Sequence, residues 1–379
     1  MAQYIWQHEA WQEGAQPNFT WQEETLCPLL SQCEQLLTQT STQQDIDSSS
    51  QIDNLVQNAL RTSEIEGEVL NVASVRSSVV RQLGLEQAGF ALDNAQKKDT
   101  STPETEALVH LLLEATKQHK QALTINTLCQ WQGALFTTPP LYKEIKIGQL
   151  RSEALMQVVS GRMDKPTVHF EAPPRTILEK ELKRFLDWFN NPTKNLNPLL
   201  RAGIAHLWLI TLHPFDDGNG RVTRAMTDRA LAQAENNSIR YYSLSAAIMA
   251  RRGEYYEQLE RAQKGTLEIT EWLQWFLSVL NDAITQGQHR FQRTLNKARF
   301  WQRHAQTTLS ERQIKVLNRL LDTEGEAFTQ GINASKYKAL AKVSKSTATR
   351  ELADLLTKGC IVKLPGGGRS TRYKVLFKN

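Results

Sequence analysis

The sequence predicts a mainly helical protein with one internal β-hairpin and a small α+β module at its C-terminal end. Three observations carry this expectation. Apolar residues recur at helical spacing from about residue 51 to 300. That period lapses at 154–174, where Met156-Gln157-Val158-Val159, Ser160-Gly161 and Val168-His169-Phe170 read as two short strands around a turn. From Ser310 the pattern becomes three short helices (about 311–322, 335–342 and 345–358), then Ile361–Leu364 and Tyr373–Leu376 on either side of Pro365-Gly366-Gly367-Gly368.

In chain order, a short aromatic segment (Trp6, Trp11, Phe19, Trp21) precedes a helix through Leu29, Leu30, Leu36 and Leu37. The polar runs Ser41–Ser50 and Lys97–Pro103 read as loops. A helix beginning near Ile52 and reaching about residue 72 has its stripe at Ile52, Leu55, Ala59, Thr62, Glu66 and Val69, which places two polar residues on the face expected to be buried. Two helices lie in 104–136, separated near Thr124–Asn126, and others at about 176–190, 197–212, 221–235, 243–263 and 268–285, with an amphipathic stretch to about 305.

The 379 residues suggest two or three domains. No apolar run approaches the ~20 residues of a membrane helix, and the opening MAQYIWQHEAWQEG lacks the basic start and apolar core of a signal peptide. Cys27, Cys33, Cys129 and Cys360 are sparse and form no CxxC pair, as expected of reduced thiols in a cytoplasmic protein. The net charge of +5 is uneven: residues 331–379 hold eleven Lys or Arg against two acids, and the remainder 34 against 38. A basic tail on a mildly acidic body points to a separate module with an anionic partner.

The segment with the most chemistry is His213-Pro214-Phe215-Asp216-Asp217-Gly218-Asn219-Gly220-Arg221-Val222-Thr223-Arg224. An apolar helix must stop before Pro214. Gly218-Asn219-Gly220 is a tight turn with few side chains in the way. A new helix opens near Arg221, so backbone N–H groups converge on one cavity, an arrangement that binds phosphate. Arg221 and Arg224, three residues apart, can fork onto phosphate oxygens. Asp217 is placed for Mg²⁺ on a nucleotide, and His213 for a base acting on the same ligand.

These twelve residues resemble the Fic family motif, His-x-Phe-x-Asp/Glu-Gly-Asn-Gly-Arg-x-x-Arg, at every defining position. The resemblance extends over about 50–285, through Gly148–Arg151 and the 154–174 hairpin upstream and through Tyr241-Tyr242, Arg252–Tyr256 and Trp272–Phe276 downstream. It implies a Fic-type helical core with a β-hairpin flap, and a protein adenylyltransferase that moves AMP from ATP, with Mg²⁺, to a Ser, Thr or Tyr hydroxyl of a target protein. His213 would be the general base and Asp217 the metal ligand. The nucleotide site would comprise Glu66, His213, Gly218, Asn219, Gly220, Arg221, Val222, Thr223, Arg224 and Tyr256. Phe215 would anchor the loop, and the hairpin would hold the target by strand addition.

The resemblance also accounts for the polar pair on the apolar stripe. Thr62-Ser63-Glu64-Ile65-Glu66-Gly67 is similar to the family's inhibitory pattern Ser/Thr-x-x-x-Glu-Asn/Gly. Thr62, Glu66 and Gly67 would then form an intramolecular restraint in which Glu66 pairs with Arg224 in place of the γ-phosphate. The implied organisation is an N-terminal helical region (1–105, inhibitory helix about 52–72), a catalytic core (106–285), a helical linker (286–309) and a winged-helix domain (310–379). In that last domain Ser344–Arg350 would begin a recognition helix, and Arg369, Arg372 and Lys374 would flank the wing, suiting DNA. Family members often dimerise, so a homodimer is a further expectation. The competing readings are a nucleotide-sensing, DNA-binding transcription regulator, and a Fic enzyme that removes AMP or transfers another phosphate-containing group.

Overall fold

The computed structural model describes residues 4–14, 16–41, 48–85, 100–137, 144–162, 165–238, 240–322, 331–365 and 371–376. It divides into two compact units, 1–288 and 289–379. The expected mainly helical class is observed: among the described residues the strands are two antiparallel pairs, one in each unit.

The first unit begins with a 3₁₀ turn, Ile5–Gln7, and a short helix α1 (Glu9–Gln12), followed by α2 (Glu23–Ser41), α3 (Ser48–Ile65), α4 (Val72–Gln82), α5 (Pro103–Lys117) and α6 (Ile125–Ala134). The hairpin β1 (Gln157–Arg162) and β2 (Lys165–Glu171) comes next, then α7 (Arg175–Asn190), α8 (Pro198–Leu212), α9 (Asn219–Glu235), α10 (Leu244–Ala250) and α11 (Arg252–Gln263). Local chemistry starts several of these helices. The side chains of Thr102, Thr124, Asn197 and Ser243 each accept a backbone N–H in the first turn, and Pro103 and Pro198 open α5 and α8, where a missing N–H costs nothing.

The centre of the unit is α8. Every residue from Leu199 to Leu212 is buried, as expected of a helix that is apolar on all sides. Helices α7 and α9 pack on it, and α3, α5 and α6 pack on α9. The N-terminal aromatic residues belong to this core. Trp11 and Phe19 meet Trp208 edge-on, and the Trp11 indole donates to Glu181 at 3.0 Å. Helix α3 is tied to the core by polar bonds as well as apolar packing. Asn58 donates to Asp228 of α9 at 2.7 Å and accepts from Ser243, the cap of α10, at 3.0 Å, all three residues being buried.

In the hairpin, Ser160 pairs with Thr167, and a bulge lies between Val158 and Val159. His169 on β2 donates through Nδ1 to Glu260 of α11 at 2.8 Å, which pins the hairpin to that helix.

Several boundaries differ from the sequence expectation. Ser48–Ser50 belong to α3 rather than to a loop, and α3 ends at Ile65, not near 72. The expected 243–263 helix is broken at Arg251. The expected break between 285 and the amphipathic stretch is missing: α12 runs Thr270–Arg303 without interruption.

The second unit takes the end of α12 and adds α13 (Glu311–Asp322), α14 (Ala334–Ala341), α15 (Lys345–Thr357) and the ribbon β3 (Ile361–Lys363) and β4 (Tyr373–Val375). Its own core includes Phe300, Val316, Leu317, Tyr337, Leu352 and Leu355. The Gly-rich turn at 366–368 and Arg369 lie outside the described residues.

Candidate functional site

Helix α8 stops at His213, which adopts a left-handed conformation with φ 48°, uncommon for a residue with a side chain. Its Nδ1 lies 3.2 Å from the Ile210 carbonyl. A carbonyl only accepts, so Nδ1 carries the proton and Nε2 keeps the lone pair. Burial first, and then the Arg151 charge, push the imidazole down to about 4, so it is neutral near pH 7.

The loop after His213 is held from several directions. Arg151 is buried; its N–H reaches the Pro214 carbonyl at 2.9 Å, its Nε reaches the His213 carbonyl at 2.9 Å, and its Nη2 bonds the Pro173 carbonyl. Asp216 accepts from the N–H groups of Lys146 at 3.0 Å and Ser152 at 3.2 Å. The Asn219 side chain closes the loop on itself, accepting from the Phe215 N–H at 2.9 Å and donating to its carbonyl at 2.7 Å. Buried Gln132 links three backbones: it donates to the Asp217 carbonyl at 3.3 Å and the Lys146 carbonyl at 3.4 Å, and accepts from the Gly148 N–H at 2.6 Å. Phe215 is fully buried, as its apolar ring requires.

Gly218 precedes α9 with φ 88°, a conformation suited to glycine. The N–H groups of Asn219, Gly220 and Arg221 form the first turn, where no intrahelical acceptor exists and the helix dipole favours an anion. A side chain at Gly220 would have its Cβ 2.0 Å from Glu66 Oε1, so the Glu66 carboxylate lies directly over this turn.

That carboxylate arrives from the end of α3. The Gly67 N–H bonds the Glu64 carbonyl and the Glu68 N–H the Ser63 carbonyl, both at 3.0 Å, with Gly67 at φ 87°. This is a Schellman termination with glycine in the left-handed position. Glu66, just past the last helical residue, meets Arg224 Nη2 at 2.8 Å. Arg224 is buried, and also donates through Nε to Thr62 Oγ1 and through Nη2 to the Thr62 carbonyl, each at 2.8 Å. Its Nη1 is buried with no hydrogen-bond partner among the described residues. Burial, the largest single effect, opposes the guanidinium charge, but the Glu66 carboxylate together with Tyr255 and Tyr256 outweighs it and raises the Arg224 pKa. Two residues on, Glu68 pairs with Arg221 at 2.7 Å, and the Arg221 guanidinium stacks over Phe136. The Ile65 carbonyl accepts from the Tyr256 hydroxyl at 3.0 Å and from Arg252 Nε at 2.8 Å.

The structure thus gathers Thr62, Glu66, Gly67, His213, Asp217, Gly218, Asn219, Gly220, Arg221, Arg224 and Tyr256 around one loop and the facing ends of two helices. Three expectations change in detail. Glu66 lies off the α3 stripe, because the helix ends before it; its side chain is 31% exposed, and Val69 is 90% exposed. Val222 is buried in the apolar core with its N–H already bonded to the Gly218 carbonyl, which leaves it no group for a nucleotide. Thr223 is also buried, its Oγ1 without a hydrogen-bond partner among the described residues. Among the described residues no group of three or more His, Cys, Asp or Glu is placed to hold a metal. Asp217 is a single carboxylate, whose Oδ1 accepts the Gly218 N–H at 2.7 Å. The positioning roles of Gln132, Asp216 and Arg151, and the Glu68 contact, were not read from the sequence, because each depends on a partner distant along the chain.

Residues 122–231, which contain this loop and α9, match the Fic/DOC family. The chain carries a Fic domain. Residues 4–85, including the turn that bears Glu66, match a domain of unknown function, DUF4172. Protein adenylyltransferase fic-1 of Caenorhabditis elegans is 34% identical over 124 residues, 32% of this chain and 21% of that protein. Protein adenylyltransferase Fic of Drosophila willistoni is 33% identical over 87 residues, 23% of this chain and 16% of that protein. The matches therefore span about a fifth of these relatives. In fold, the chain is similar to a Fic family protein from Desulfovibrio desulfuricans G20, with TM-score 0.54 and 18% identity, covering 94% of this chain and 97% of that one. It is also similar to Fic-1 (residues 134–508) from C. elegans, with TM-score 0.50 and 19% identity, over 71% and 73% of the two chains. The Fic domain's helical architecture is common to both.

Proposed function

We propose that this chain is a protein adenylyltransferase restrained by its own α3. The observation that carries the reading is the meeting of a neutral His213 with an anion cradle at the start of α9 that is already covered by the Glu66 carboxylate. In the transfer, His213 Nε2 takes the proton of a Ser, Thr or Tyr hydroxyl of the target protein. The hydroxyl oxygen bonds to the α-phosphorus of ATP, and the bond from that phosphorus to the β-phosphate bridging oxygen breaks, releasing pyrophosphate. The N–H groups of Asn219, Gly220 and Arg221 stabilise the growing negative charge. Asp217 would be the protein carboxylate that holds a Mg²⁺ entering with ATP, and that ion would neutralise phosphate charge. Arg224 takes the γ-phosphate once Glu66 has left it, and Tyr256 lines the nucleotide side. The four free cysteines fit a reducing, cytoplasmic setting.

The test is transfer of label from α-labelled MgATP, comparing wild type, Glu66→Gly and His213→Ala. Label on Glu66→Gly, little on wild type and none on His213→Ala is expected. Absence of label from all three, with ATP bound, would leave nucleotide sensing as the role of the Fic domain. A second reading adds to the first. The three helices and ribbon of residues 310–379 form a winged helix that binds DNA, favoured by the charge of that unit.

A further inference from the structure

The last turn of α3 leaves four backbone carbonyls, those of Thr62, Ser63, Glu64 and Ile65, without partners inside the helix. The turn that follows satisfies the middle two with its own N–H groups, Glu66 and Glu68 on Ser63 and Gly67 on Glu64, each at 3.0 Å. The outer two are taken by arginines from elsewhere in the fold. Arg224 of α9 donates to Thr62 and Arg252 of α11 to Ile65, each at 2.8 Å. The Tyr256 hydroxyl shares the Ile65 carbonyl at 3.0 Å, and the Arg252 guanidinium lies over the Tyr256 ring, 5.3 Å from its centre. Arg252 stands at the wrong end of its own helix. It is the first residue of α11, where the helix dipole disfavours a cation. Its neighbour Arg251 is engaged locally, with Glu254 at 2.7 Å and Asp282 at 3.2 Å, whereas Arg252 is in no ion pair among the described residues. Helix α3, for its part, has no basic residue in its last turn, where a cation is favoured. Arg252 supplies it from outside.

We infer that Arg252 is a positioning residue for Glu66: by holding the Ile65 carbonyl it keeps the next residue over the first turn of α9, and its release is a step in opening the restraint. The inference rests on the restrained-transferase reading above and adds to it a residue outside both the His213–Arg224 loop and α3. Beyond Ile65 the chain has little packing to hold it, since Gly67, Glu68 and Val69 are all exposed. The place of the Glu66 carboxylate therefore depends on bonds at the helix end. In the transfer reaction Arg224 turns from Thr62 and Glu66 to the γ-phosphate. The bonds from Arg252 and Tyr256 are then the ones that still tie down the end of α3. Ile65 and Glu66 are adjacent, so a shift of that carbonyl moves the carboxylate directly.

The test uses the full chain, with each variant made in the wild-type and Glu66→Gly backgrounds. Arg252→Met removes the donors and keeps an apolar stem over Tyr256. Arg252→Lys keeps a cation that can reach a carbonyl. Arg251→Met is the neighbouring control. Hydrogen exchange at the Gly67 and Glu68 amides, without nucleotide, reads the hold on the helix end. It should be about three- to tenfold faster in Arg252→Met, as for loss of one charged donor near the surface, largely restored in Arg252→Lys and unchanged in Arg251→Met. Transfer from α-labelled MgATP should rise by about the same factor in Arg252→Met over wild type. It should rise no further where Glu66 is already glycine. A merely structural role would lower transfer in both backgrounds, and that result overturns the inference. So does unchanged exchange in Arg252→Met, or faster exchange with no rise in transfer while Glu66→Gly is active. Absence of label on Glu66→Gly would instead remove the restrained-transferase reading, and the exchange rates would still decide whether Arg252 holds the end of α3.

Discussion

At the scale of single residues, the proposed function makes the site a contest between carboxylates and phosphates for the same donors. Glu66 holds Arg224 and Glu68 holds Arg221, so under the proposed function ATP would have to displace both acids to reach both arginines. Glu68 is about half exposed, and such a pair is worth about 0.5–1 kcal/mol. Glu68→Gln should therefore tighten ATP binding by about two- to fivefold, and Glu66→Gly with Glu68→Gln should exceed Glu66→Gly alone, both read by calorimetry. Equal affinities for wild type and Glu68→Gln would show that Arg221 is not contested. Arg151 touches the backbone of the loop rather than its ligands, and its charge helps hold His213 down at about 4. With Arg151→Gln in the Glu66→Gly background, the acid limb of the rate profile should move up from near pH 4 but stay below 6.5, since burial is the larger cause, and turnover should fall by about 10–100-fold through misplacement of the imidazole. An unmoved limb would separate Arg151 from the histidine. The motif from His213 to Arg224 was legible because all its parts fall within one loop and one helical turn. Arg151 was not, since its partners His213, Pro214 and Pro173 are joined to it only by the fold.

At the scale of elements, the ending of α3 decides where its acids point. Periodicity runs on through Glu66 and Val69 in the sequence, but the chain leaves the helix at Ile65, since a glycine two residues later offers a left-handed termination. That is why the stripe pointed to the carboxylate that meets Arg224 for an incomplete reason. Gly67→Ala meets no steric obstacle within 4 Å, so its penalty is the backbone conformation alone, about 1–2 kcal/mol. The expected result is a modest fall in melting temperature with a rise in self-modification, because the turn that carries Glu66 and Glu68 is loosened. A fall in melting temperature with unchanged activity would detach the turn from the restraint. The anchoring of α3 is a separate matter. Asn58→Ala leaves Asp228 and Ser243 short of a partner in the interior and should cost about 1–3 kcal/mol by chemical denaturation. The helices themselves were largely legible from apolar spacing. The breaks at Arg251 and the continuity of α12 were not, because one residue of backbone geometry separates a kink from a continuous helix.

At the scale of the whole molecule, pH acts on stability through buried imidazoles. Burial, and then the Arg224 charge, push His206 down to about 3, and His213 stands at about 4, against 6.5 in an unfolded chain. Between those values the unfolded state binds more protons, so this contribution is complete above about pH 6.5 and is lost as pH falls toward 4. Glu235 is raised to about 7 by burial and acts in the opposite sense, its contribution being lost as pH rises through 7. Melting temperature should drop between pH 6.5 and 5, and less steeply for His206→Gln; equal slopes would remove His206 from the account. Stability of the fold and hold of the restraint are nonetheless different quantities, because a helix end opens far more often than a domain unfolds. The Schellman turn is a clasp made of two backbone hydrogen bonds and two ion pairs, and a clasp of that size frays. If the chain is the restrained transferase proposed above, the fraction of time it stands open would set the rate at which it leaks. An opening free energy of about 3 kcal/mol would mean roughly one molecule in 150 active at any moment. Hydrogen exchange at the Gly67 and Glu68 amides and the ratio of wild-type to Glu66→Gly turnover would then report one and the same number.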